Sequence, residues 1–169
     1  MILDQYFKRP IVWDCVIASF LTLAVFLLRR KNILHATLDT NLYSIVSDLS
    51  TIGLTMAGFI LTLLTVLVSW KSTTKPFPKD QRNYGEATAF EMFFSTPYYF
   101  ETVRHLKWAI VSLTILSITG FSLKLFLKTD LYHLLYFFNA FGIIIILFTM
   151  IRSVMILSQI IKLQKHEGD

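Results

Sequence analysis

Asp48, Thr51, Thr55, Gly58, Thr62, Thr65 and Ser69 follow one another at alternating steps of three and four residues. At ~100° per residue that alternation keeps all seven on one face of a helix. Between Thr51 and Ser69 every hydroxyl falls on this frame, and every other position is apolar or small. Chemically the row is a set of neutral oxygen ligands with a carboxylate at one end. Such a set suits partly dehydrated cations on a water-lined path, with Asp48 as an acidic ring at the mouth if several copies surround an axis. Gly58, at mid-row, then gives closeness or a hinge. Facing carboxylates would couple, some of them staying protonated. The other use of a hydroxyl and glycine face is close helix packing in a membrane. Two details weigh against packing alone. The row spans the full thickness of a bilayer, and Gly53 and Ala57 already supply a separate small-xxx-small pair on the opposite face.

Other chemistry is missing from the motifs. The chain has no HExxH, GxSxG, P-loop or dinucleotide glycine pattern. His35, His105, His133 and His166 are spread over loops and helix ends, and none pairs with an acid at ligand spacing in one helix. The single Cys15 excludes an intrachain disulfide and a cysteine-based metal site. The expectation is a protein that is not an enzyme, with no catalytic residues, no cofactor and no metal.

The elements that must position the row are membrane helices. Of 169 residues, 54% are hydrophobic, and the mean hydropathy is +0.59. The apolar runs fall at 11–28, 44–70, 106–127 and 131–152, each long enough to cross a bilayer. This predicts an all-α, integral membrane four-helix protein forming one domain over residues 1–169. A bundle of four helices at separations of ~8–10 Å fills its own centre with side chains. A path along the row therefore calls for a symmetric homo-oligomer, of four or five subunits.

The first run resembles a signal peptide, but its core is too long and Arg29, Arg30 and Lys31 follow it instead of a cleavage site. Asp14 reads as a shallow carboxylate near the helix N-terminus and the headgroups. Arg152 reads as the basic residue where the fourth helix leaves the membrane, with an amphipathic end projecting over 153–165. Asn139 is an amide available to a neighbouring helix. Thr96-Pro97 is a start signal for the third helix.

Residues 71–105 form the sizeable non-membrane segment. Its first half is basic (Lys71, Lys75, Lys79, Arg82) and its second half aromatic (Phe90, Phe93, Phe94, then Tyr98 and Tyr99). The basic half fits an acidic protein surface, anionic lipid or a phosphate-bearing signal. The aromatic half offers faces on which bases stack. The bland use of the same residues is headgroup contact by the lysines and interfacial burial of the rings. The expected partners are the lipid bilayer and a cytoplasmic protein or nucleotide-type ligand, with no duplex nucleic acid. The formal charge of +5 is first a matter of topology and lipid contact. Ten basic residues on the side of the termini, against five on the other, predict both termini in the cytoplasm.

In plan the chain resembles the small four-helix membrane effectors of bacterial anti-phage systems, of the Hailong and Kiwa kind. The resemblance rests on the architecture, the block GLTMAGFILTLLTVLVSW and the basic, aromatic loop. It implies an oligomeric channel or pore-forming subunit of the bacterial inner membrane, held inactive until a cytoplasmic signal acts on it. Two alternatives stand beside it. One is a non-conducting anchor that recruits a soluble partner through residues 71–105. The other is a small cation- or proton-coupled transporter, for which Asp14 would have to sit deep in the membrane.

Overall fold

The computed structural model describes residues 10–31, 42–73, 93–126 and 132–165. They form four long helices: α1 (Pro10–Arg30), α2 (Leu42–Thr73), α3 (Pro97–Phe126) and α4 (Tyr132–Lys165). No strand occurs among the described residues. All four helices are long and apolar enough to cross a membrane. Only 17–28% of their most apolar windows is buried within the protein. The remaining surface is studded with Phe20, Ile52, Ile118, Leu125 and similar side chains. A soluble protein does not expose so much contiguous apolar area. The chain is an integral membrane protein, and the unburied faces meet lipid or further copies.

Close approaches fix the topology. On α2 and α3, Ser50 faces Gly120 and Gly53 faces Ser117, so these helices run antiparallel. Asp14 meets Arg152 and Phe26 meets Phe137, so α1 and α4 are antiparallel too. Leu49 and Leu116 both lie against Gly142. The result is an up-down-up-down bundle in which α2 packs chiefly on α3 and α1 mainly on α4.

Small residues set the α2–α3 distance. A Cβ on Gly53 would lie 2.6 Å from Ser117 Oγ, and one on Gly120 would collide with Ser50 Oγ and the Phe138 ring. Ser50 and Ser117 keep their own hydroxyls satisfied by donating to the carbonyls of Val46 and Leu113, at 2.8 and 2.9 Å. The seam is therefore close and carries no unmet polar group. Ala57, Ile60, Leu106, Ala109 and Leu113 continue it as the larger core cluster. A smaller cluster, Ala18, Leu116 and Ile145, ties α1 to α3 and α4.

At the start of α3, Pro97 occupies the first helical position, where its missing N–H costs nothing. Thr96 Oγ1 donates to the Phe93 carbonyl at 2.8 Å and closes the preceding turn. The sequence reading put the second span at 44–70; the helix is longer, 32 residues, or about 48 Å at ~1.5 Å per residue. That exceeds the ~30 Å of hydrocarbon, so α2 tilts or projects. Asn139, 5% exposed, donates from Nδ2 to the Leu42 carbonyl at 3.4 Å and fastens α4 to the first turn of α2.

Candidate functional site: the outer face of α2

The buried side of α2 is Val46, Leu49, Ser50, Gly53, Ala57, Ile60 and Leu67. The row Asp48, Thr51, Thr55, Gly58, Thr62, Thr65 and Ser69 is exposed at every position. At ~100° per residue the centres of the two faces lie roughly 160° apart. Within one chain the row is thus not a packing seam; Gly53 and Ala57 take that part. At Gly58 nothing among the described residues lies within 4 Å of where a Cβ would be, so its lack of a side chain serves no contact among them.

The hydroxyls have a common orientation. Thr51, Thr55, Thr62 and Thr65 each donate to the carbonyl four residues earlier, at 2.9, 2.8, 3.0 and 2.9 Å. With the proton committed to the helix, what each oxygen has left is acceptor lone pairs. The row is therefore a ladder of acceptors with a carboxylate at one end, a polarity suited to cations and unsuited to anions.

Two apolar rows flank this ladder. Ile52, Phe59 and Val66 lie on one side, 51%, 48% and 39% exposed; Leu54, Leu61 and Val68 lie on the other, 52%, 51% and 47% exposed. Each row repeats every seven residues, the period of a helix–helix seam. Sequence reading found the ladder and missed the two edges. Their signal is the seven-residue repeat on either side of the hydroxyls, hidden by the fact that almost every other residue there is apolar.

The candidate input segment is only partly described. Lys75, Lys79, Arg82 and Phe90 lie outside the described residues. Lys71 is engaged within the chain: its ammonium sits 4.1 Å from the centroid of Tyr99 and 3.9 Å from that of Phe100. These contacts tie the last turn of α2 to the first turn of α3. The reading of Phe94 as an open stacking face is corrected. Phe94 is 6% exposed in the core, packed on Phe93 and Tyr99, while Phe93 lies half-buried against the same cluster. A ring buried among its own neighbours has no open face for a base.

Two further residues have a relationship that local reading missed: Asp14 and Arg152 are partners. Arg152 Nη1 donates to Asp14 Oδ2 at 2.5 Å, with the side chains 12% and 3% exposed. Each residue alone has the appearance of an interface residue; only the tertiary fold pairs them. Among the described residues no group of three histidines, cysteines or acids is placed to hold a metal. No protein-family model matches the chain, and no curated protein or solved structure matches it.

Proposed function

We propose that this protein is the subunit of an oligomeric membrane channel or pore-forming effector, in which α2 lines a cation path. The supporting observation is the order of surfaces around α2: a buried face, an apolar row, a ladder of acceptors, and a second apolar row. In a ring, the 52–59–66 row of one subunit meets the 54–61–68 row of the next. That contact is heterologous and closes by rotation. The ladder then faces the axis, and α1, α3 and α4 form the outer wall. Four or five subunits fit a path narrow enough for hydroxyl oxygens to replace part of an ion's hydration. Asp48 becomes an acidic ring at one mouth. Ser69 and the Lys71 clasp lie at the other, where the 71–105 segment would deliver a cytoplasmic signal. The anti-phage role implied by the resemblance, with both termini in the cytoplasm, belongs to this reading.

A second reading also has an observation behind it. Threonines bonded to their own helix need no water, so the same face is tolerated against lipid in a non-conducting anchor. Permeation separates the two. In planar bilayers Asp48→Asn lowers the cation-to-anion permeability ratio by roughly fivefold or more, as ~1 kcal/mol of Coulomb energy in water sets. An absence of current from the parent, or an unchanged reversal potential in a salt gradient, removes α2 from the path.

A further inference from the structure

On the side of the bundle away from the α2 ladder is a cavity of about 570 Å³ between α1, α3 and α4. Phe26, Phe137, Phe138 and Phe141 form most of its walls, with Leu23, Leu123 and Leu134. We propose that it holds the acyl chain of an anionic phospholipid, whose headgroup is held by Lys31 and Lys124.

The lining residues run from Ser19 to Phe26 on α1 and from Leu134 to Phe141 on α4, about 10 Å along each axis at ~1.5 Å per residue. One leaflet offers ~15 Å of hydrocarbon, half of the ~30 Å core. Residues 19–26 fall at the end of the Ile11–Leu28 span and residues 134–141 at the start of Leu134–Lys162, so the cavity occupies a single leaflet, and it opens sideways, since Leu23 and Leu134, on its lining, are 54% and 47% exposed. Its volume falls in the ~300–1,000 Å³ range of small-ligand sites.

The antiparallel order brings the C-terminal ends of α1 and α3 and the N-terminal end of α4 to the same side of the membrane. Lys31, in the turn after α1, and Lys124, next to Leu123 in the last turn of α3, are both exposed there. Lys124 can reach the headgroup level along its own stem. The basic-residue count does not ask for charge on this side, which holds the minority of the lysines and arginines. A phosphate at the mouth of the cavity does ask for it. A second copy of the chain seated face to face would bring these lysines against their own equivalents, so the charges disfavour it.

Thr22 is the lining position that separates an acyl chain from a polar ligand. It is 8% exposed, lines the cavity, and its Oγ1 has no hydrogen-bond partner among the described residues. The acyl reading assigns that hydroxyl no contact with the ligand.

Native mass spectrometry of the delipidated, detergent-purified chain tests this, with phosphatidylglycerol and phosphatidylcholine of identical chains as probes. Phosphatidylglycerol is retained preferentially. Lys31→Gln and Lys124→Gln each cut that preference by about fivefold, the factor expected for one basic residue near an anionic headgroup. Ser19→Trp, which fills the cavity, reduces retention of both lipids while circular dichroism shows unchanged helix content. Thr22→Val leaves retention intact. Equal retention of the two lipids, or indifference to the lysine variants, overturns the headgroup assignment. Loss of binding in Thr22→Val overturns the acyl-chain assignment, because it means a polar group against the Thr22 hydroxyl.

Discussion

Arg152 on α4 and Asp14 on α1 are 138 residues apart in sequence and share a 2.5 Å hydrogen bond between a half-buried guanidinium and a buried carboxylate. The contact holds the least buried helix of the bundle against α4 near one end, as the Phe26–Phe137 edge contact, with centroids 5.1 Å apart, does near the other. Removing one partner leaves a charge in a medium that cannot solvate it. Asp14→Leu or Arg152→Met alone is expected to lower stability by about 3–5 kcal/mol. The double variant recovers most of the loss, because two apolar side chains replace a costly pair. Unfolding in detergent micelles measures this. Additive losses would mean that the two groups do not act as a pair.

The two glycines of α2 that flank Ala57 predict opposite outcomes. Gly53→Leu intrudes on Ser117 and the Leu113 backbone and weakens the subunit itself, by at least the ~1–3 kcal/mol typical of overpacking. Gly58→Leu adds bulk where the subunit has open space, so its thermal unfolding stays near the parent's while conduction stops. Melting curves and bilayer currents on the same preparations distinguish them. Equal destabilisation by both would place Gly58 inside a packed contact of the subunit.

Much of this was legible in the sequence. Four apolar runs and a strict three-four alternation of hydroxyls are local patterns, and local patterns survive into helices. Ser69 and Thr51 could be assigned to one face without coordinates for that reason. The back-bonding of the four threonines follows from helix geometry as well. The contacts of Asp14, Arg152 and Lys71 were not legible because their partners come from other helices. A carboxylate four residues into a membrane span carries no sign that an arginine 138 residues later is folded against it. Phe94 was misjudged likewise: in sequence it stands in an aromatic run, and only the fold puts Tyr99 on it.

Lys71 predicts how the end of α2 and the start of α3 are coupled. Its ammonium between the Tyr99 and Phe100 rings contributes about 0.5–2 kcal/mol to holding the end of α2 against the start of α3. Lys71→Gln should raise hydrogen exchange at residues 69–73 and 97–100 by several-fold, and Lys71→Arg should restore protection, since a guanidinium stacks at least as well. Unchanged exchange in Lys71→Gln would show that the helices are coupled there by Leu67, Leu106 and Ile160 alone.

If α2 lines a cation path, its hydroxyl ladder is wet. Single cysteines at Thr62 and at Ile118, the latter 60% exposed on α3, in a Cys15→Ser background measure it directly. A charged, membrane-impermeant methanethiosulfonate reagent is applied during bilayer recording. Thr62→Cys is expected to react, its current falling as the charged adduct enters the path, while Ile118→Cys, on the outward surface of α3, stays unmodified. If Thr62→Cys is as inert as Ile118→Cys, or reacts with no change in current, the ladder does not line an ion path.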